Sequence, residues 1–401
     1  MPWWRNWRNA AAFRTYSRAE EAFLYRMRIL YIGKYCGIAG GIERYALSSA
    51  QALREDGITV DYAGEVTARD NAAFCAGFDS TGTAEQLLKN DYNAVFLHKL
   101  CGYEQLREYH RRCGGKLIFV AHDHDAYCMR RHYYLPFRRW NCHCAASLWR
   151  CGLCSRFSRS WAARPWPLES MRILGELRQI PAVALSHYMR SNLLRNGFNA
   201  GMVQVVHPFV ECPQLPPVPD APAVKNGLRI LFCGQLIRGK GVDLLLEAVS
   251  RMASPFTLEI AGSGSDERFL RRMAYRLGVA DRVHFSGWVS QPQQLYSHND
   301  VLAFPSRWQE PFGLSGLEAG AFGLPSVGFA TGGIGEWLKD GRNGRLIAAG
   351  DYGAMAAAFD ELASSPSLLR HLSLGAANVA RTVFSRAKFI RAIRQLCRKL
   401  Q

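Results

Sequence analysis

Residues 301–330 read VLAFPSRWQEPFGLSGLEAGAFGLPSVGFA. Two short apolar runs, VLAFPS and PSVGFA, bracket GLSGLEAGAFG, which reads as a helix. A strand that is apolar along its whole length has no face turned to water. Such strands, alternating with helices, belong to parallel sheets covered on both sides. The same alternation extends outward. Before this unit come LRILFCG (228–234), VDLLLEAVSRM (242–252), FTLEIAG (256–262), DERFLRRMAYRLG (266–278), RVHFSG (282–287) and the short helix QPQQLYSHN (291–299). After it come MAAAFDELASS (355–365), SLLRHLSLGAANVARTVF (367–384) and the basic amphipathic AKFIRAIRQLCRKL (387–400).

A second alternating set lies nearer the N-terminus: RILYI (28–32), IERYALSSAQALREDG (42–57), ITVDYA (58–63), YNAVFLH (92–98), KLIFVAH (116–122), the stretch Ile180 to Leu185, and VQVVHPF (203–209). Between the two sets the chain carries six prolines from Pro208 to Pro222, a composition that makes an extended, stiff linker. The sequence therefore predicts two doubly wound α/β domains. One covers 27–210, the linker 211–227 and the second domain 228–384, followed by an amphipathic helix over 385–401 that packs back on the first. Ligands of such sheets bind beyond the carboxyl ends of the strands, so the cleft between two such domains is the default site.

Composition narrows the class. The 401 residues are 48% hydrophobic and 21% charged, which excludes a disordered chain. No apolar run reaches the ~18 residues of a transmembrane helix, and MPWWRNWRNAAAFRTYSRAEEAF lacks the apolar core of a signal peptide. The expected compartment is the cytoplasm, where the 12 Cys are reduced thiols or metal ligands.

The net charge of +17 is unevenly spread. Eleven Lys and Arg between 111 and 164 face two acids, Asp123 and Asp125, and are interleaved with Tyr133, Tyr134, Phe137, Trp140, Trp149, Phe157 and Trp161. Such a patch attracts polyanions, whether phosphorylated glycans, anionic lipid headgroups or nucleic acid. It is equally a solvated basic face. Residues 1–26 repeat the pattern with Trp3, Trp4 and Trp7 among Arg5, Arg8, Arg14 and Arg18. They read as a helix at a membrane interface, as a tail, or as sequence upstream of a start at Met27.

Four loops carry chemistry. Gly40 and Gly41 open the first helix, where backbone comes close to a ligand and free N–H groups suit phosphate. Arg238 and Lys240, in CGQLIRGKG, are cations just before a helix, a setting for a diphosphate. IAGSG is by itself a tight turn. The block already quoted is the strongest. Glu310 lies in the loop after a strand and Glu318 about one turn into the next helix, and carboxylates there can hold sugar or ribose hydroxyls. The amides of Gly313, Leu314 and Ser315 stand between them at the helix N-terminus. The alternative for two acids at a helix start is plain dipole complementarity.

The ordered set GGIER, GQLIRGKG, IAGSG, EPFGLSGLE and GGIGEW resembles the retaining glycosyltransferases of family GT4, with the GT-B fold. The resemblance runs from about Arg28 to about Phe384. It implies a UDP- or GDP-sugar donor held mainly by the C-terminal domain. Glu318 then matches the acid on the ribose, Glu310 the catalytic acid at the donor sugar, and Lys240 the cation on the diphosphate. Gly313 and Leu314 match amide donors to phosphate, and Gly41 completes that site. His122, after KLIFV, matches a catalytic histidine at the sugar. One departure is Gln235, where the family usually has Arg. Gln keeps hydrogen bonding and loses the bidentate charge, for which Arg238 is the candidate replacement.

The resemblance also implies an acceptor in cell-surface polysaccharide or lipopolysaccharide synthesis. With the basic charge this suggests an anionic, lipid-linked glycan acceptor and peripheral contact with the cytoplasmic face of an anionic inner membrane. No Asp-x-Asp motif precedes the donor block, so no metal is expected for transfer, and no nucleic-acid partner is expected. Alternatives are a non-catalytic nucleotide-sugar binder, a nucleic-acid binder using the basic cysteine-rich segment, and a GT-B epimerase or phosphorylase. Within the insertion at about 125–165, Cys128, Cys144, Cys151 and Cys154 resemble a tetrathiolate zinc site. Cys142 is the alternative to Cys144, His143 is also available, and an iron–sulfur cluster is the other metal reading.

Overall fold

The computed structural model describes residues 27–131, 133–135, 141–156, 167–212, 227–289 and 291–400. The Trp- and Arg-rich stretch 1–26, most of the linker prolines and, in the insertion, Arg138, Arg139, Trp140, Arg159, Trp161 and Arg164 lie outside the described residues. The strands are β1 (Arg28–Ile32), β2 (Tyr35–Cys36), β3 (Thr59–Ala63), β4 (Val66–Thr67), β5 (Ser80–Gly82), β6 (Ala94–Leu97), β7 (Leu117–Ala121), β8 (Ala182–Ala184), β9 (Val203–Val205), β10 (Leu228–Cys233), β11 (Phe256–Ala261), β12 (Val283–Gly287), β13 (Val301–Phe304), β14 (Ser326–Phe329) and β15 (Gly344–Ile347). They form two parallel sheets, of seven and six strands, and a small two-stranded one. The chain is α/β, as the alternation predicts.

By contact density the chain divides into two compact units. One ends at Val95 and takes in Leu400; the other runs from Phe96 to Lys399. In the first, β3 lies between β1 and β5, all parallel, with Arg28 opposite Thr59 and Ile32 opposite Ala63. The helix Gly41–Glu55 buries Tyr45, Ala46, Ala50 and Leu53 at the spacing of one helical face. The buried Asp61 is held by the Arg28 guanidinium at 2.6 Å and the Tyr92 hydroxyl at 2.9 Å.

In the second unit β7, β8 and β9 run parallel in that order. The six-stranded sheet has the order β12–β11–β10–β13–β14–β15. Strand order reverses between β10 and β13, so the loops leaving these neighbours open a crevice at their carboxyl ends. Both the cation loop and the Glu310 loop leave from that point. The faces of the sheet are closed by Leu245, Leu246, Val249, Leu270, Met355, Phe359 and Leu372, which are buried against Ile230, Phe232, Leu258 and Val327. The helix Pro366–Asn378 runs into a π-helical turn Val379–Val383, after which Phe384 meets the rings of His207 and Phe312, each at 5.3 Å. In the final helix, Arg386–Arg398, Phe389 packs on Phe209 at 4.9 Å.

The edge strand β15 and the helix Tyr103–Cys113 carry weak sequence signals. The helix buries only Leu106 and Tyr109, too few apolar positions to mark a periodicity. Among the described residues, no helix is long and apolar enough to cross a membrane.

Candidate active site

The loop after β13 carries Ser306, Arg307, Trp308, Gln309 and Glu310. Glu310 is buried, and its Oε1 accepts from Lys240 Nζ at 2.6 Å and from Ser306 Oγ at 2.7 Å. Lys240 closes the 3-10 turn Arg238–Lys240 that follows β10. Two glycines let this turn press on the Glu310 loop. A Cβ on Gly239 would lie 1.8 Å from the Trp308 indole, and one on Gly241, at φ +71°, 1.9 Å from the Pro305 carbonyl. The Gly239 carbonyl accepts from the amides of Arg307 and Trp308 at 2.8 and 3.1 Å. The buried Asp243 ties the two loops again. It takes both guanidinium nitrogens of Arg307, one at 2.8 Å, and Arg238 at 2.9 Å. Arg238 is thus already engaged by a carboxylate, while Gln235 is exposed in the loop after β10.

Gly313, at φ +87°, is the N-cap of the helix Leu314–Ala321, and no side chain caps that end. Its first-turn amides, at Leu314 and Ser315, suit an anion. Glu318 follows on the same helix, half-buried, with the Tyr296 hydroxyl donating to its Oε2 at 3.4 Å. The segment TGGIGE backs Glu310 from behind. The Gly333 amide donates to the Glu310 carbonyl at 2.7 Å, and a Cβ on Gly332, at φ +59°, would lie 2.2 Å from that same oxygen. The crowding in this loop is closeness to the backbone of Glu310. IAGSG is likewise a close backbone approach. A Cβ on Gly262 would lie 1.8 Å from the Gly234 carbonyl.

His122 follows β7. Its Nε2 lies 2.9 Å from Nδ1 of the buried His98, and the two rings stack at 5.1 Å. Burial pushes both imidazoles down, His122 to about 3, so both are neutral at ordinary pH. Beside them Lys99 bridges Asp123 at 3.1 Å and Asp125 at 2.7 Å. Burial opposes charge at both acids. Hydrogen bonding from Asp125 and the Lys99 charge nonetheless hold Asp123 low, whereas burial and the Asp123 charge push Asp125 up.

His124 reaches across to the Glu310 loop, with its Nε2 2.6 Å from the Gln309 carbonyl. The Gln309 amide is fully used. It donates to the carbonyls of Tyr133 at 2.9 Å and Cys142 at 2.8 Å and accepts from the Tyr188 hydroxyl at 2.5 Å. The Ser186 hydroxyl donates to the Pro311 carbonyl at 2.5 Å. The structure therefore joins Glu310 to Lys240 and Ser306, and ties its loop to the HDHD segment through His124. Sequence reasoning missed Ser306, Gln309, Ser186, His98 and Lys99. The doubled HDHD pattern was the available signal for part of this.

Gly40 and Gly41 begin the helix Gly41–Glu55 of the other unit. Gly40 is extended and offers no side-chain cap, and a Cβ on Gly41 would meet nothing within 4 Å. Packing does not require glycine at 41, so the bare backbone there is available to a ligand.

Burial is the main reason that the thiols of Cys128, Cys142 and Cys151 titrate high, Cys142 at about 11. Neighbouring thiols add to it. Cys151 and Cys154 act on Cys128, and Cys128, Cys144 and Cys151 act on Cys142. Among the described residues, though, no three of these sulfurs come within 4.8 Å of one another; the only group that close is His187, His207 and Glu336.

Residues 219–379 match the family "Glycosyl transferases group 1". Over these residues the chain is a glycosyltransferase domain of this family, GT4. The chain is 28% identical over 378 residues to a D-inositol 3-phosphate glycosyltransferase of Streptomyces avermitilis, covering 86% of this chain and 80% of that one. It is 32% identical over 154 residues to the lipopolysaccharide core biosynthesis glycosyltransferase LpsE of Rhizobium meliloti, covering 38% of this chain and 43% of LpsE. Several other curated relatives are matched over about half of their length. Its fold is that of Anabaena HepE, solved in complex with UDP and glucose. The TM-score is 0.71 at 17% identity, over 93% of this chain and 100% of HepE. That shared fold is GT-B.

Proposed function

We propose that the glycosyltransferase moves a sugar, with retention, from a UDP- or GDP-sugar to a glycan or glycolipid acceptor in cell-surface polysaccharide or lipopolysaccharide synthesis. One observation carries the reading. The Glu310 carboxylate is fixed between Lys240 and Ser306 in a loop that leads straight into an uncapped helix N-terminus bearing Glu318. Such an arrangement suits a nucleoside diphosphate sugar. Glu318 takes the ribose hydroxyls, the amides of Gly313, Leu314 and Ser315 take the phosphates, and Glu310 with neutral His122 faces the sugar.

Breaking the sugar–phosphate bond puts positive charge on the sugar ring and negative charge on the departing diphosphate. Lys240 and the helix end stabilise the second, and the Glu310 carboxylate the first, in a setting fixed before reaction. Residues 27–210 form the acceptor-side domain and 228–384 the donor domain. The basic insertion then offers an anionic, lipid-linked acceptor its positive field, at the cytoplasmic face of an anionic membrane. A structural zinc ion on four of Cys128, Cys142, Cys144, Cys151 and Cys154 would have to draw the sulfurs together, since no three of them lie within 4.8 Å of one another. Zinc below about half an equivalent in purified protein would count against it.

Thermal unfolding with UDP, GDP, ADP and their sugars tests the donor reading. Ligand at ~100 times its Kd adds ~2.7 kcal/mol, and the resulting shift disappears in Glu318→Ala. Absence of a shift with every nucleotide overturns the donor assignment. Liposome flotation with anionic against neutral lipid tests the membrane part, which fails if neither binds.

A further inference from the structure

We infer a divalent-metal site formed by His187, His207 and Glu336, separate from the groups that handle the sugar donor. The ligand atoms of the three all lie within 4.8 Å of one another. His207 Nε2 is 2.9 Å from Glu336 Oε2, and the rings of His187 and His207 are 5.5 Å apart.

The three residues come from three segments. His187 starts the helix His187–Arg195 after β8, His207 follows β9, and Glu336 sits in the short helix Ile334–Trp337. Two of the three are held in place. The Glu336 carboxylate accepts from the backbone amides of His187 at 3.0 Å and Tyr188 at 2.8 Å. The His207 ring is wedged against Phe312 at 5.9 Å and Phe384 at 5.3 Å. His187 is exposed, so an ion can reach the group and this side chain can swing to close on it.

Two imidazoles and a carboxylate are borderline donors that suit Zn²⁺, Co²⁺ or Ni²⁺. With bonds of about 2.0–2.1 Å, ligand atoms of a tetrahedral ion lie about 3.3 Å apart, a contraction that rotation of His187 supplies. A fourth position stays open to water. The backbone hydrogen bonds to Glu336 are the outer shell such sites require.

The site has a structural reach. Ser186, the residue before His187, holds the Pro311 carbonyl at 2.5 Å. An ion on His187 therefore fastens the start of that helix to the segment behind Glu310.

The test uses full-length protein stripped with chelator and titrated with Co²⁺, read by visible absorption and by bound metal after dialysis. Expected, with the cysteines alkylated beforehand, is one equivalent with weak visible bands and no intense thiolate charge-transfer band. Affinity should fall at least tenfold in both His187→Ala and His207→Ala. His187 is exposed, so its variant is expected to unfold in EDTA at the same temperature as the parent. Should His207→Ala fail to fold, His187→Ala decides alone. The site is overturned if the alkylated protein binds no Co²⁺ or if His187→Ala binds it unchanged.

Discussion

Lys240 Nζ lies 2.6 Å from Glu310 Oε1, although the two residues are 70 positions apart. The cation assigned to the diphosphate and the acid assigned to the sugar hold one another before any donor arrives. Lys240 and Ser306 thus hold the Glu310 carboxylate in one place. Lys240→Met should lower kcat about 10²- to 10³-fold, the scale of losing one preset electrostatic donor. Glu310→Gln should do at least as much while keeping both hydrogen-bonding partners. Steady-state transfer assays check this, with denaturant unfolding alongside. Lys240→Met should also cost roughly 1–3 kcal/mol, because the buried carboxylate keeps only Ser306. Full transfer activity in Glu310→Gln would sink the role given to that acid.

Glu318 differs in kind. It stands half-buried on the helix Leu314–Ala321, with a long 3.4 Å contact from Tyr296, and is proposed to take the ribose hydroxyls. Glu318→Ala should raise donor KM about 10- to 100-fold, the value of a charge-assisted hydrogen-bond pair, with kcat changed less. Titration calorimetry with the nucleotide alone checks it. An unchanged nucleotide Kd would remove Glu318 from the donor site.

The places of these two acids, one in the loop after a strand and one on the following helix, were legible in the sequence from the apolar runs around them. The alternating apolar runs likewise gave the parallel sheets, since β7, β13 and β14 are wholly buried. What stayed hidden was tertiary. Gln309 looks like a solvated loop residue, and its role depends on carbonyls at Tyr133 and Cys142, more than 160 positions away. His98 looks like the end of a strand, and its use depends on which neighbour β6 delivers it to. Glycines too have their reason in tertiary packing. Gly239, Gly262 and Gly332 are each required because protein atoms come within about 2 Å of where a Cβ would sit.

That distinction gives a paired prediction. Gly332→Ala places a Cβ 2.2 Å from the Glu310 carbonyl, at a positive φ that L side chains resist. It should cost roughly 1–3 kcal/mol and lower kcat through displacement of Glu310. Gly41→Ala adds its methyl to open space on an ordinary helical backbone, so unfolding should match the parent. Any loss of transfer in Gly41→Ala then reports on ligand binding. Unchanged stability in Gly332→Ala would refute the packing argument.

The neutral histidine pair sets a pH dependence. In the unfolded chain His122 takes a proton near 6.5, but in the fold burial delays this to about 3, and the buried His98 is shifted in the same direction. Below about 6.5 the unfolded state binds more protons, so stability falls with falling pH. Asp125 acts in the opposite sense between 3.8 and about 7, and it is one group against two. Each histidine contributes up to about 2 kcal/mol of loss between pH 6.5 and 5. Urea unfolding at these two pH values should show a decline that His122→Asn makes shallower. A slope identical in the variant would mean that His122 is not buried in its neutral form.

Gln309 allows the arrangement around Glu310 to be tested without touching a charged group. Its side chain is buried and engages Tyr133, Cys142 and Tyr188, while its own carbonyl meets His124. These contacts hold the residue next to Glu310 against the HDHD segment and the start of the cysteine-bearing insertion. Gln309→Leu keeps the volume and removes every side-chain hydrogen bond. It should destabilise by about 2–4 kcal/mol, since two carbonyls and a hydroxyl lose a buried partner. Donor Kd should change little, because Glu318 and the helix amides are untouched. Transfer should fall about tenfold or more, because a shift of about 1 Å in a reacting group is enough to cost 10²-fold. A drop in kcat with intact donor binding is the signature of a positioning residue. Equal losses in both would place Gln309 in direct contact with the donor, and no loss in kcat would show that Lys240 and Ser306 fix Glu310 unaided.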